Sequence, residues 1–483
     1  MTTLVNSIAE LRHFMRSNER PIYCVSPSPF NLMGIGEWVG NFTFISYFDL
    51  FDGRHPNVFS PSKPPYWVPD SIAEIVNHLL EHPETIDFIT KRGGNPAAVF
   101  TQFDETTEEL CKGLGIEILH SSARLGRHLD NKIETVRIGN KADVLSVPNT
   151  LARVSTYDGL LFEARKAGLG DRLVLQEAYG DSGQTTYFVD SEEDFNRYAL
   201  RLSAQPEVKI MKRINCRSAT IDACVTTSGT LVGPLMSEII GNPELTQYEG
   251  GWAGNEIFCG AFSEEISMEA RKMTRRFGDQ LLKEGYLGYF NLDLLIEQET
   301  GEVYLGELNP RVSGASSLAN QTTFTDADPP LFLYHLLAFL GVGYQLDVEE
   351  CNSRWASKEH NEPWSQVLVK SLDYYGVRET VTHAPARGIY QMMPDGSVSY
   401  LRSADRWQEI ESEEEAFFLR ITGAGDPVYR GAHLGFLFLR GRVMNDEFEL
   451  GKRVRNWSDG IRNLYVSEPV TEINRDETQE PNR

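Results

Sequence analysis

The sequence predicts an α/β and α+β protein in three parts, on three observations. Its 483 residues exceed what one hydrophobic core usually serves, so about two to four domains or subdomains are expected. Residues 1–130 alternate strand-like and helix-like runs, the mark of a Rossmann-like parallel sheet with crossover helices. The later sequence becomes mixed and then strand-rich, with a Pro-Asp-Gly turn at 394–396 joining two alternating runs as a hairpin.

In the first part PIYCVSP, AAVFTQFD and IEILHSS read as strands. DSIAEIVNHLLEH and ETTEELCKGLG carry helical spacing, the second closing on a glycine cap. Residues 131–325 follow with a helix near Lys132, a strand LVLQEA, a glycine loop, a strand TTYFVD and a helix EEDFNRYALRL; VKIMKRINCRSATIDACV then reads as a further strand pair. Residues 326–362 read as a helical linker built on DPPLFLYHLLAFLGV, 363–467 as a strand-rich C-terminal domain, and 468–483, polar and aperiodic, as a disordered tail.

Composition narrows the functional classes. The formal charge of -23 opposes binding to a polyanion, which draws on counterion release by a basic surface, so nucleic acid is not an expected partner. No run approaches the ~18 apolar residues of a membrane span, and the amphipathic N-terminus lacks the form of a secretory signal. A cytoplasmic location without membrane partners is the expectation. The six cysteines contain no CxxC pair, which points to buried thiols rather than a zinc site or a disulfide framework.

The most informative stretch is GYFNLDLLIEQETGEVYLGELNPRVSGASSL, residues 288–318. It reads as two strands joined near Thr300, a register that sets Leu295 opposite Leu305, Asp293 opposite Glu307 and Asn291 opposite Asn309. Facing carboxylates repel unless a cation lies between them, and two hard acids beside an amide oxygen suit Mg²⁺ held jointly with substrate phosphates, with Mn²⁺ as the alternative ion. The competing reading is a solvated hairpin face with surface acids. Arg311 favours the metal reading, because a guanidinium beside a metal cluster suits a transferring phosphoryl group.

A second feature is EAYGDSGQTTYFVD, where Gly180 and Gly183 would let backbone N–H groups close over phosphate oxygens beside the Ser182 and Thr185 hydroxyls. No Gly-Lys-Ser/Thr follows, so it is not a Walker A loop, and a simple hairpin turn is the other reading. QYEGGWAGNEIFCGAF offers Glu249 and Trp252 as substrate-lining residues, and Arg217 faces either the cleft or a strand edge. No histidine falls in a spaced cluster.

In this order along the chain, these features resemble the ATP-grasp superfamily, which includes the carboxylate-amine ligases, D-alanine ligase and biotin carboxylase. The resemblance covers roughly residues 131–318, with a matching pre-ATP-grasp domain before it. It implies a mobile glycine-loop lid over about 140–213, an ATP-contacting Lys132, a phosphate loop from Gly180 to Thr186 and an adenine hinge at Ile210 to Ile214, with Lys212 and Arg213 inside it. It further implies metal on Asp293, Glu307 and Asn309, and a catalytic Arg311 in the Asn-Pro-Arg sequence.

One departure stands out. The family usually has a second phosphate-binding lysine on the strand before the glycine loop, where this chain has Gln176, leaving Lys132, Lys212 or Arg213 to compensate.

The activity implied is ATP-dependent, ADP-forming ligation: a small-molecule carboxylate becomes an acyl phosphate, which an amine, as in amino acid or peptide ligation, then captures. Carboxylation of the biotin-carboxylase type is one rival, although the chain has no Ala-Met-Lys-Met biotinyl motif. A non-catalytic nucleotide-binding module, suggested by Gln176, is the other. The C-terminal part would complete an acceptor pocket through Arg387 or Arg430, or form a homodimer.

Overall fold

The computed structural model describes residues 4–63, 69–180, 183–258, 260–321, 328–357, 363–372 and 379–469. The N-terminal part is a five-stranded, wholly parallel sheet in the order Val58–Phe59, Phe42–Ser46, Ile22–Ser26, Ala97–Phe100 and Glu117–Ile118. Its strands are continuous apolar runs because both faces are covered. Ile22 and Cys24 enter one core while Tyr23 and Val25 enter another. The helix Glu105–Leu114 starts on a capping box of Asp104 and Thr107 and ends on a left-handed Gly115.

The helix Leu331–Phe339 lies in the segment read as a helical linker, and every residue from Leu331 to Leu337 is buried. It has no polar face to present to water, and it fills the core between the N-terminal sheet and the strands carrying Cys224 and Tyr289.

Two antiparallel sheets make up the rest of the centre. A four-stranded sheet, called the lid sheet below, has the order Asn149–Ala152, Val208–Lys212, Leu173–Gln176 and Thr186–Val189. Its apolar face packs with the helices Tyr157–Lys166 and Glu192–Ala204. The second sheet has ten strands, beginning Val303–Asn309, Gly288–Glu297, Cys216–Thr226, Gly229–Ile240 and Trp252–Ile257. The two strands read in VKIMKRINCRSATIDACV therefore do not pair with each other. Val208–Lys212 belongs to the lid sheet and Cys216–Thr226 to the large sheet, so Arg213–Asn215 is the crossing between them.

The C-terminal strands extend the same large sheet instead of closing on themselves. Trp364–Lys370 pairs with Trp252–Ile257 on one side and His433–Arg440 on the other, which satisfies backbone groups that an edge would leave open. The Pro-Asp-Gly hairpin forms as Gly388–Met392 paired with Val398–Arg402. Ordered chain continues past 467: Val466–Pro469 pairs with Glu379–His383, and residues 470–483 lie outside the described residues.

One buried side chain ties the C-terminal part to the centre. Glu256, 1% exposed, accepts hydrogen bonds from the backbone N–H groups of Val443 and, at 2.7 Å, Met444. Glu256→Ala leaves both donors buried and unpaired, so stability falls by about 3 kcal/mol. A lowered urea-unfolding midpoint checks this, and an unchanged midpoint would dismiss Glu256 as the anchor of that loop.

Candidate active site

Between the lid sheet and the large sheet lies a cavity of about 800 Å³. Strand register divides the lid-sheet wall into two rows. Phe188, Val174 and Met211 stand side by side in one, and Thr186, Gln176 and Lys209 in the next; all six line the cavity. The alternate residues Leu175, Tyr187 and Ile210 point into the lid's own core.

The opposite wall repeats the division. Leu295 pairs with Tyr304, and both pack with Val147, Met211, Val174 and Ile214 into an apolar slot. One step along the strands, Asp293 pairs with Glu307. Apolar row faces apolar row, and polar row faces polar row.

The acidic hairpin holds the predicted pairs Asn291–Asn309 and Asp293–Glu307 but departs beyond them. A bulge between Asp293 and Leu294 leaves Gly306 unpaired, so Leu295 meets Tyr304 instead of Leu305. Only glycine fits at the bulge, since a Cβ on residue 306 would lie 2.9 Å from the Asp293 carbonyl oxygen. The acids are held from behind by a polar network. Thr220 donates to Asp293 (2.8 Å), and the Asn309 amide donates to Asp293 (3.2 Å) and Asn291 (3.1 Å). Asn291 donates in turn to Thr220 (2.7 Å) and to the buried Asp222 (2.8 Å), and Tyr289 donates to Asp222 (2.7 Å).

Lys132 joins this cluster from above. It opens the helix Lys132–Lys141, whose N-cap Asn131 accepts from Ile133 and Glu134 N–H groups. Gly139 lets that helix lie close on the hairpin, because a Cβ there would come 2.6 Å from Leu305. The Lys132 ammonium, nearly fully buried, donates to Glu307 (2.7 Å) and to the Gly180 carbonyl (2.6 Å), so it ties the glycine loop to the acids. Burial, and then the charge of Glu307, push the Asp293 carboxyl well above its ordinary range.

These donors fit a hard divalent cation. Among the described residues no three His, Cys, Asp or Glu side chains converge on one point. A cation here would take the Asp293 and Glu307 carboxylates, the Asn309 amide and oxygen from outside the chain, as Mg²⁺ does with substrate phosphates.

Of the other predicted residues, Gly183, Lys212, Arg213, Ile214, Arg217 and Glu249 line the cavity. Arg213 pairs with Asp190 (2.8 Å) and Glu249 (3.2 Å), linking the lid sheet to the loop at 249–250. Gly183 meets that loop closely: a Cβ on it would lie 2.6 Å from the Gly250 backbone. Arg217 lies over the Phe448 ring at 4.1 Å and donates to the Asp446 carbonyl. Ser182 lies outside the described residues.

Of the predicted nucleotide, metal, catalytic and substrate residues that are described, Gly180, Thr185, Trp252, Asn309 and Arg311 do not line the cavity. Thr185 is buried behind the glycine loop. Trp252 turns away, donating to Asn255 (3.1 Å) with its ring against Gly314. Asn309 reaches the site through Asp293, and Arg311 pairs with Asp130 beside it. Arg387, offered as an acceptor residue, is buried under Phe51 and donates to the Ala404 carbonyl.

Five further residues line the cavity that no sequence motif marks: Lys209, Glu238, Met444, Glu447 and Phe448. Lys209 was legible from strand alternation, since it shares a face with the hinge residue Met211. Glu238, whose carboxyl is raised by burial and by the charges of Asp293 and Glu307, lies on a strand that carries no motif. Met444, Glu447 and Phe448 arrive from more than two hundred residues downstream of the lid sheet, a proximity no local pattern encodes.

No family model and no curated protein matches this sequence. Solved structures do. A biotin carboxylase from Campylobacter jejuni in complex with β,γ-ATP superposes with a TM-score of 0.62 at 12% identity, covering 93% of this chain and 92% of that one. The biotin carboxylase domain of Hydrogenobacter thermophilus 2-oxoglutarate carboxylase, complexed with MgADP, ADP and bicarbonate, gives 0.58 at 10% identity, covering 87% and 86%. The carboxyaminoimidazole ribonucleotide synthase of Aspergillus clavatus, complexed with ATP, gives 0.55 at 14% identity over 92% and 99%. Across nearly its whole length the chain has the fold shared by these ATP-grasp proteins.

Proposed function

We propose that the chain is an ATP-dependent, ADP-forming ligase that phosphorylates a small-molecule carboxylate and joins the resulting acyl phosphate to an amine. The observation that carries this reading is the matched pair of rows across one cavity: an apolar slot for a base beside a polar slot with two lysines and two facing carboxylates. Val174, Met211, Leu295 and Ile214 sandwich the base. Lys132 and the glycine-loop N–H groups hold the phosphates, and Arg311, fixed by Asp130, steadies charge at the acyl phosphate.

Asp293, Glu307 and Asn309 would hold a divalent cation, which when bound would supply charge neutralisation for phosphoryl transfer. The bond from the γ-phosphorus to the bridging oxygen breaks as the carboxylate oxygen takes its place. The amine nitrogen then attacks the acyl carbon, phosphate leaves and the nitrogen sheds its proton. Contact between Gly183 and Gly250 keeps the loop over the cavity, which protects an acyl phosphate from water.

A second reading has bicarbonate as the carboxylate. The whole-chain similarity to biotin carboxylases and to a carboxyaminoimidazole ribonucleotide synthase favours it. Met211-Lys212 belongs to a lid-sheet strand and is not a biotinyl site.

Purified protein with Mg-ATP is expected to release ADP only when a carboxylate and an amine are supplied together from a panel of amino acids and dipeptides. Bicarbonate, with free biotin or with the same amines, forms a separate arm; release confined to it selects the second reading. Glu307→Gln should lower the rate on the order of 10²- to 10³-fold, the scale of losing one electrostatic group at a transferring phosphoryl. ATP binding with no ADP release in any arm would make the chain a non-catalytic nucleotide-binding module. Chelation with EDTA should stop ADP release, Mg²⁺ should restore it, and Mn²⁺ replaces Mg²⁺ in a parallel sample; turnover that persists in EDTA would remove the cation from the reaction.

A further inference from the structure

Lys209 is 1% exposed, yet among the described residues its ammonium has no ion-pair partner. Its one hydrogen bond goes to the carbonyl of Gly306, the bulge residue of the acidic hairpin, at 3.3 Å. A buried ammonium without a carboxylate is costly, and an anion brought by a ligand would offset that cost. Burial above all brings this ammonium down to about 8, with the charge of Glu307 opposing the shift and that of Lys132 adding to it. Two lysines thus flank Glu307 at the floor of the cavity, and only Lys132 is bonded to it, which leaves the Lys209 ammonium for an anion from outside the chain.

Register shows which position Lys209 serves. It stands directly opposite Gln176 on the adjacent antiparallel strand and on the same face, in the row with Thr186. Gln176 itself is turned to Thr186, to which its amide donates at 3.1 Å. The other cations of the lid sheet are otherwise placed. Arg213 is committed to Asp190 and Glu249, and Lys212 sits at the exposed end of its strand, beyond the apolar row.

We propose that Lys209 supplies, from the neighbouring strand, the phosphate-binding charge that Gln176 lacks, so that the lysine has moved sideways across the ladder and the site remains fully charged. This rests on the nucleotide reading above. A side chain reaching from residue 209 crosses about one strand spacing, ~4.8 Å, which the length of a lysine spans. The phosphate-binding position therefore belongs to a row of the sheet, and two strands can fill it.

The test is calorimetric titration of the full chain with Mg-ADP, with adenosine as a probe that fills the base slot without phosphates. Lys209→Gln should weaken Mg-ADP about 10- to 100-fold, the scale of a charge-assisted hydrogen bond, while adenosine binding stays unchanged. Lys209→Arg should keep most of the affinity. The exchange variant Gln176→Lys/Lys209→Gln should recover at least about half of the logarithmic loss, because it returns one ammonium to the same row. Mg-ADP affinity unaltered in Lys209→Gln, or an equal loss for adenosine and Mg-ADP, would overturn the proposal, as would an exchange variant no better than Lys209→Gln alone. Wild-type protein that binds neither ligand would overturn the nucleotide reading first and this assignment with it, a result distinct from the other three.

Discussion

Asp293 and Glu307 face each other across two hydrogen-bonded strands, and their mutual repulsion is the constraint that the surrounding residues answer. Lys132 reaches Glu307 from a helix that Gly139 allows to lie close, while Thr220 and Asn309 hold Asp293 with neutral donors. The division of labour matters. Only one acid is bonded to a cation from the chain, and burial with the charge of Glu307 pushes the other, Asp293, well above its ordinary range. A cation bound with a phosphate would complete what the chain leaves undone.

The second organising feature is the crossing at Arg213–Asn215, where one run of chain leaves the lid sheet and enters the large sheet. Because the two sheets share this crossing, their rows stay aligned, with Met211 over Leu295 and Lys209 over the Asp293–Glu307 step. A small displacement of the lid would set the apolar row over the acids. Contacts at the far side resist that: Arg213 pairs with Glu249, and Gly183 lies on Gly250, a closeness a side chain at either glycine would disturb. The bulge at Gly306 adds to the alignment by turning a carbonyl toward the Lys209 ammonium.

The continuous ten-stranded sheet gives the C-terminal part a role that its sequence does not announce. Through Glu256 the strand Trp252–Ile257 grips the backbone at Val443 and Met444, and the turn that follows delivers Glu447 and Phe448 to the cavity mouth. Phe448, held at a positive φ of 62°, offers its ring to Arg217. Burial of a carboxylate is costly unless it is hydrogen-bonded, and here those hydrogen bonds fix a wall of the candidate site.

Much of this was legible in the linear sequence because it depends on local periodicity. The parallel N-terminal sheet follows from apolar runs between capped helices, and the pairing of Asp293 with Glu307 follows from alternation about the turn near Thr300. Alternation could not announce the bulge at Gly306, which shifts Leu295 onto Tyr304, since a bulge is a packing response to close backbone approach. Gln176 reads as a lost charge along its own strand, and only cross-strand register sets Lys209 beside it. Arg387 and Trp252 read as site residues because charge and glycine context are local, while their burial against Phe51 and Gly314 is not. The sequence by itself thus determined the element types, the fold class and the two acids that face each other. The tertiary structure alone decided which cations, which wall and which row complete the cavity, because side chains far apart along the chain become neighbours only when sheets pair and pack.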